Sequence, residues 1–221
     1  MPTILEDTEV RVLGALIEKQ VTTPEYYPLT LNALTLACNQ KNNRYPITAF
    51  DEATVARALE SLREKNFVYV VYGSTSRVPK YKHVVTDVLH LSQPELAAMC
   101  VLMLRGAQTT GELAGRGYRL HEFSGLEEVE STMNSLISRE PEPLVVRLPR
   151  QPGQKEVRFA HLLSGKVTIE HAAESEHAPR SASSSRGGGE RTVKLEQEVQ
   201  ALRAEVMALQ QQFDEFKKQF E

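Results

Sequence analysis

The sequence contains no long apolar run and almost no excess of charge of either sign. No stretch approaches the roughly 18 to 20 apolar residues that a helix needs to cross a bilayer, and no basic segment followed by an apolar one opens the chain. We therefore expect neither export nor membrane insertion, and a cytoplasmic location. The 221 residues carry a formal net charge of -3, so any attraction to nucleic acid must come from local clusters of charge.

Cysteine is scarce, and the usual signatures of catalysis are missing. The two cysteines, Cys38 and Cys100, lie in apolar helical patterns without the spacing of metal ligands, which predicts small buried side chains in a reducing compartment. The six histidines are scattered along the chain. No glycine-rich phosphate loop, nucleophile elbow or paired-carboxylate pattern appears. The sequence therefore predicts a protein without metal, cofactor or enzyme activity.

What the sequence does contain is a pattern that occurs twice. In each copy a leucine precedes a glutamine by four residues and two threonines follow, namely Leu16, Gln20, Thr22 and Thr23, and then Leu104, Gln108, Thr109 and Thr110. Farther along, three apolar residues at steps of four and three follow a phenylalanine: Val55, Leu59 and Leu62 after Phe50, and Val129, Met133 and Leu136 after Phe123. Repetition over this length indicates a duplicated module.

The first copy predicts three helices and a β-hairpin. Apolar residues at helical spacing place the first helix at 9–20. Thr30 and Asp51 can cap the second and third helices, and the third reaches about Lys65. Two segments rich in valine and tyrosine predict strands at 67–72 and 81–85. The polar segment between them, at 73–77, predicts a hairpin loop. This is the plan of a winged helix.

The second copy predicts the same plan. Ser92 and Glu95 form a capping-box pattern before a helix that reaches about Leu104, and a short helix near 112–114 follows. Ser124 and Glu127 form another such pattern before the third helix. The second hairpin is predicted from strands at 144–148 and 157–162.

The fold class is therefore predicted as mostly α with small β-hairpins (α+β), with two tandem winged-helix domains. The domains cover 1–88 and 89–165, a flexible Ser/Gly-rich linker covers 166–190, and a coiled-coil helix covers 191–221. The linker is predicted because its composition offers too little apolar surface to offset the entropy of ordering it.

The C-terminal segment has an apolar seam at alternating steps of four and three. It consists of Leu195, Val199, Leu202, Val206, Leu209, Phe213, Phe216 and Phe220. Valine at one core position and leucine at the other favour two parallel strands, so we expect a homodimer. An isolated helix of this length is only marginally stable in water, so its apolar seam must pack against another surface. Docking on the chain's own domains and binding of a foreign protein are the alternatives.

A winged helix commonly places its third helix in the major groove of DNA while the hairpin touches the backbone. Candidate contacts to double-stranded DNA are Lys41, Asn43, Arg44, Arg57, Arg77, Lys80 and Lys82. Glutamates at 52, 60 and 64 share the surface of the third helix, and those at 127, 128 and 130 oppose phosphate in the second copy. Two hypotheses follow: a DNA-binding, regulator-like protein, or a protein-interaction adaptor built on the same scaffold.

Several segments resemble the signature of the YceH-like family of bacterial proteins. They are 12–20, the turn Thr22, Thr23 and Pro24, and the run from Tyr27 to Pro46, which includes Asn39, Gln40, Lys41, Asn42, Asn43 and Arg44. The resemblance covers about residues 4–165. It implies a tandem winged-helix protein with a predicted coiled-coil tail and no catalytic residues to transfer. It also directs attention to residues 39–44, although these can simply build the turn between two helices.

Overall fold

The computed structural model describes residues 4–72, 78–150 and 156–165. The first repeat contains α1 (Asp7–Thr22), a 3-10 helix (Pro24–Tyr26), β1 (Leu29–Thr30), α2 (Leu31–Cys38), α3 (Glu52–Glu64), β2 (Val68–Val71), β3 (Lys80–His83) and the short α4 (Val85–Val88) that follows the hairpin. The second contains α5 (Gln93–Arg105), α6 (Thr110–Gly117), α7 (Leu126–Ile137), β4 (Val145–Arg147) and β5 (Phe159–His161). The predicted 73–77 loop, the linker and the coiled-coil segment lie outside the described residues.

Two small antiparallel sheets accompany the helices. The first has the order β1-β3-β2, with Leu29 opposite Tyr81 and Val68 opposite His83. The second pairs β4 with β5, with Val145 opposite His161. In the described part of the chain this mixture of seven α-helices and small antiparallel sheets confirms the α+β class.

Most of the predicted helix starts are confirmed by hydrogen bonds. The Thr30 hydroxyl accepts from the Ala33 amide, the Asp51 carboxylate accepts from the Thr54 amide, and Ser92 forms a capping box with Glu95. The capping box expected for Ser124 and Glu127 is wrong. Helix α7 begins at Leu126, and the Ser124 amide and hydroxyl both donate to Glu128.

The strands are shorter than predicted, and one was missed. Val85, which the sequence predicts as the end of the second strand, instead begins α4. The missed strand is β1, because its two residues are too few to show an alternating pattern. Strand β1 forms only when the chain folds back and brings β3 beside it, so that Leu29 and Thr30 pair with Tyr81 and Lys80.

The two repeats share one hydrophobic core. The predicted apolar stripes are buried in both, with Leu59 and Leu62 from the first repeat and Met133 and Leu136 from the second in the same cluster. Helix α1 packs against α5 as well as against α2 and α3. A β-carbon added at Gly14 of α1 would lie 2.9 Å from Leu104 Cδ2 and 3.2 Å from Met103 Cβ of α5. The absence of a side chain at this glycine therefore permits the close approach of the two helices.

Both cysteines are free and buried, as predicted. None of the helices within 4–72, 78–150 and 156–165 combines the length and apolar character of a membrane span.

Candidate functional site

The loop between α2 and α3 carries the polar segment 39–44 and is closed by Asn39. The Asn39 side-chain amide donates to the Phe50 carbonyl over 2.8 Å, and its oxygen accepts from the Phe50 amide, also over 2.8 Å. Both hydrogen-bonding functions of this side chain are therefore used within the loop. Asn39 therefore stabilises the turn between the two helices, which is one of the two roles that the sequence allows for this segment.

Arg44 also builds the loop, which corrects its predicted role as a contact to DNA. Its guanidinium donates to both carboxylate oxygens of Glu18, over 3.1 and 2.6 Å, and to the Ala37 carbonyl over 2.9 Å. The side chain has 0% of its surface exposed. A phosphate cannot reach this guanidinium without displacing Glu18, so Arg44 leaves the set of candidate contacts.

A second buried arginine, which is not among the contacts predicted from the sequence, lies under the same loop. Arg11 of α1 donates to the Pro46 carbonyl over 2.7 Å and to the Cys38 carbonyl over 3.3 Å. Burial, followed by repulsion from the nearby positive charge of Arg44, lowers the pKa of Arg11. Its position among apolar residues of α1 gave no signal in the sequence, because periodicity does not show where a loop will return.

The remaining polar residues of the loop face solvent. Lys41, Asn42 and Asn43 are exposed, and Asn43 has a φ of 61°, in the left-handed region that asparagine tolerates better than most residues. Its side-chain oxygen accepts from the guanidinium of Arg105 at the end of α5. The Tyr45 amide donates to the Leu104 carbonyl over 2.8 Å, which fixes the loop to α5.

A cleft of about 390 Å³ lies beside this loop. We call it the α1–α5–α6 cleft. It is lined by Glu18, Lys19, Thr22 and Thr23 of the end of α1 and the residue after it, by residues 40–43, by Val101, Leu104 and Arg105 of α5, and by Arg116, Arg119 and Leu120 of α6 and the turn after it. Lys41 and Asn43 thus belong to a concave site, whereas Lys80 and Lys82 lie on the first hairpin.

The first hairpin presents a basic and aromatic face. Val68 and His83, which are opposite each other, are buried, whereas the next pair, Tyr69 and Lys82, is exposed. Lys80 lies opposite Val71 on that outward face. Tyr69, on the same face as the two lysines, is 50% exposed, and Tyr72, which follows β2 and is outside the paired residues, is 69% exposed. Neither β2 nor β3 contains an acidic residue.

The surface of α3 is different, because it carries more negative than positive side chains and one of its two arginines is paired. Arg63 forms an ion pair with Glu60 at 2.7 Å, and Arg57 donates to the Thr54 hydroxyl. Asp51 and Glu52 stand at the start of the helix. Arg57 is exposed as predicted, but it lies on a helix with more carboxylates than guanidinium groups.

The start of α7 is strongly acidic. Glu127 and Glu128 lie in its first turn and Glu130 follows. Hydrogen bonds from the Ser124 amide, and then from His121 and the Ser124 hydroxyl, lower the pKa of Glu128 to about 2. The carboxylate therefore remains charged at neutral pH and opposes the approach of phosphate to this helix.

The described residues show no arrangement typical of metal or thiol chemistry. No group of three histidine, cysteine, aspartate or glutamate side chains within 4–72, 78–150 and 156–165 could hold a metal ion. Burial raises the pKa of Cys38 to about 12 and also raises that of Cys100, so both thiols are protonated at neutral pH.

The structure places four of the seven predicted DNA contacts at two sites: Lys41 and Asn43 at the cleft, and Lys80, which is half-buried, with the exposed Lys82 on the first hairpin. Arg57 is a fifth, on α3, Arg44 is buried, and Arg77 lies outside the described residues. The residues that sequence reasoning missed are Tyr69 and Tyr72 of the hairpin and Arg105, Arg116 and Arg119 of the cleft. Only the alternation of the hairpin could have indicated Tyr69. The cleft joins segments far apart in sequence, and no local pattern reveals it.

Comparison with known proteins gives a consistent result. The sequence model of a family described as "Protein of unknown function, DUF480" matches residues 5–154. A UPF0502 protein of Pelobacter propionicus is 49% identical over 221 residues, which is 100% of both chains. Another of Opitutus terrae is 50% identical over 200 residues, covering 90% of this chain and 84% of the relative. One of Vibrio atlanticus is 46% identical over 213 residues, covering 95% and 96%.

Proposed function

This chain belongs to the DUF480 family of proteins of unknown function, and within that family we propose that it is a DNA-binding, regulator-like protein. Its first hairpin makes the main contacts to the phosphate backbone of double-stranded DNA. The proposal includes a cytoplasmic location, which accords with two buried free thiols.

The observation that carries the proposal is the outward face of the first hairpin. Lys80 and Lys82 alternate with inward-facing residues, so both ammonium groups stand on one side beside the exposed ring of Tyr69. Lysine neutralises phosphate, and a tyrosine hydroxyl can donate to phosphate or sugar oxygens. No carboxylate in β2 or β3 competes for the two lysines.

The order of elements supports a winged-helix interpretation. In each repeat three helices precede a two-stranded hairpin, and in the first repeat β1 adds a third strand. The YceH-like signature adds the expectation of paired winged helices. The hairpin rather than α3 leads the contact in this proposal, because the carboxylates of Glu52, Glu60 and Glu64 oppose entry of the helix into a groove. Arg57 and Lys41 are left as peripheral phosphate contacts.

Fluorescence anisotropy with a labelled duplex of random sequence tests this assignment. At about 50 mM salt, where phosphate contacts are strong, the Lys80→Ala/Lys82→Ala variant should bind several-fold more weakly than the native protein. Arg63→Ala is the control, because this guanidinium lies outside the hairpin and is paired with Glu60. Equal affinity of the double variant and the native protein would remove the hairpin from the interface, and a larger effect of Arg63→Ala would transfer the contact to α3.

The second candidate function is a protein-interaction adaptor that uses the paired repeats as a rigid scaffold. It is favoured by the acidic surfaces of α3 and α7. Absence of measurable duplex binding at about 50 mM salt would decide for the adaptor, since electrostatic contacts are strongest there. In both cases the heptad seam at 195–220 is proposed to join two copies of the chain.

A further inference from the structure

The α1–α5–α6 cleft gathers positive charge from segments that are distant in sequence. The cations that line it are Lys19, Lys41, Arg105, Arg116 and Arg119, and Glu18 is the acidic residue in its lining. Arg44, buried beneath, holds both oxygens of Glu18. The negative charge of Glu18 is therefore largely balanced from below, and it does little to offset the cations around the cleft.

The remaining ion pairs leave most of this charge unmatched. Arg116 pairs with Glu112 at 3.4 Å, and Lys19 lies 4.0 Å from the Glu18 carboxylate that Arg44 already holds. Within the described part of the chain no carboxylate forms an ion pair with Lys41 or Arg119. Lys19, Lys41, Arg105 and Arg119 therefore keep positive charges that Glu18 and Glu112 do not balance.

The helix dipoles do not cancel the positive charge of the cleft. Helices α1, α5 and α6 all end at the cleft, and each C-terminus carries a partial charge of roughly -0.5. Together they offset roughly 1.5 positive charges, which is well below the charge of the four unbalanced cations. A net positive potential remains for an anion from solvent.

The pKa of Arg105 reflects the positive charge around the cleft. Burial is the main reason that its pKa lies below the usual range, and repulsion from Arg116 and Arg44 lowers it further, against the opposing effect of Glu18 and Glu112. Asn43 holds the Arg105 guanidinium through its side-chain oxygen. The loop residue that accepts this bond also lines the cleft, so it orients a charged donor at the site.

Size and chemistry indicate the class of ligand. A volume of about 390 Å³ lies within the roughly 300 to 1,000 Å³ of small-molecule sites, and the concave shape suits a compact ligand better than a duplex backbone. Arginine and lysine together favour phosphate, because the forked guanidinium donates two bonds to phosphate oxygens. Val101, Leu104 and Leu120 supply an apolar wall for the body of the ligand.

We propose that the α1–α5–α6 cleft binds a small phosphate-bearing molecule. This site is separate from the first hairpin, and it does not depend on the protein binding DNA. For a regulator-like protein such a ligand would be an effector, and for an adaptor it would control the joint between the two repeats.

Isothermal titration of the full-length chain with inorganic pyrophosphate, and separately with adenosine diphosphate, tests the site at constant ionic strength. Lys41→Gln and Arg119→Gln should each weaken pyrophosphate binding at least about fivefold, because each removes one charged donor. Both side chains are exposed and make no ion pair among the described residues, so these variants should fold normally. Arg150→Gln, an exposed arginine outside the cleft lining, is the control and should bind as the native protein does.

Two results would overturn the proposal. One is the absence of saturable binding of both probes to the native protein. The other is equal weakening by Arg150→Gln, which would indicate attraction by total charge. If the two cleft variants weaken duplex binding while neither probe binds, the cations contact nucleic-acid phosphate and the small-molecule site is wrong. Pyrophosphate binding by a protein that fails to bind DNA would support the cleft while removing the DNA function.

Discussion

The side chains of residues 39–44 have two different roles. Asn39 and Arg44 bind Phe50, Ala37 and Glu18 and so stabilise the loop, whereas Lys41 and Asn43 lie at the surface of the cleft. The sequence shows that this segment is polar and belongs to a family signature, but composition alone cannot distinguish a buried cation from an exposed one. That distinction depends on which carbonyls and carboxylates the folded chain brings near each guanidinium.

Replacing Arg44 should therefore cost stability rather than affinity for DNA. Arg44→Met leaves the Glu18 carboxylate without its bidentate partner, and we expect a loss of about 3 kcal/mol in the free energy of unfolding by urea. Lys41→Met, on the exposed part of the same loop, should change it by less than about 0.5 kcal/mol. Adding Glu18→Gln to Arg44→Met should recover part of the loss. Equal stability of the two single variants would show that the buried ion pair contributes little.

A buried histidine should make stability depend on pH. Burial lowers the pKa of His83 to about 4, against the opposing charge of Asp87, and both ring nitrogens lack a partner among the described residues. An unfolded chain binds this proton near pH 6.5, so the stabilisation is complete above that pH and is lost as the pH falls toward 4. Between pH 7 and 5 the loss from His83 should be about 2 kcal/mol.

Urea unfolding of His83→Gln at pH 7 and pH 5 measures this contribution. Its decline between the two pH values should be smaller than that of the native chain by about 2 kcal/mol, while His90→Gln, at an exposed position, should decline like the native chain. Burial also lowers the pKa of His161 to about 4, so a residual decline is expected in His83→Gln. The same decline in all three proteins would contradict the assignment.

At the scale of the element, periodicity and caps predicted most helices because both signals are local. The side chains of Thr30, Asp51 and Ser92 each act within their own first turn, and the apolar stripes of α3 and α7 are buried as spaced. The repeated threonines, however, act differently. Thr109 caps α6, whereas Thr23 donates back to the Lys19 carbonyl. Similar sequence thus gives a helix start in one repeat and a helix end in the other, where a 3-10 helix follows.

Contact between α1 and α5 should depend on a glycine. Gly14→Ala places a β-carbon 3.0 Å from Leu104 Cγ and 3.2 Å from Met103 Cβ, which are not free chain ends. Overpacking of this kind typically costs about 1 to 3 kcal/mol, more than the roughly 1 kcal/mol that alanine gains in a helix. Gly115→Ala in α6, where nothing lies within 4 Å of the new carbon, should be neutral or stabilising. Thermal unfolding of both variants checks this, and greater stability of Gly14→Ala would contradict the tight packing.

At the scale of the molecule, a nearly neutral total charge hides separated charges. Positive side chains gather on the first hairpin and in the α1–α5–α6 cleft, while α3 and the start of α7 are acidic. The α+β class could be predicted from the sequence, since it follows from periodic patterns. The single shared core and the cleft could not, because they depend on how α1 of one repeat packs against α5 of the other.

Self-association is predicted to depend on the heptad seam. Removing residues 190–221 takes away every apolar residue from Leu195 to Phe220. We expect the chain to change from a dimer to a monomer, because two-stranded association buries that seam. Light scattering of the full-length and shortened proteins gives the masses. An unchanged mass would place the contact elsewhere.

The salt dependence of duplex binding tests the central claim most directly. If the first hairpin contacts phosphates, the affinity of the native protein should fall steeply with salt, and the slope of log K against log salt should decrease in magnitude by about 2 in Lys80→Ala/Lys82→Ala. Arg63→Ala should keep the native slope, since its charge is already paired with Glu60. A native slope near zero, or the same slope in the double variant, would contradict a DNA interface on this hairpin.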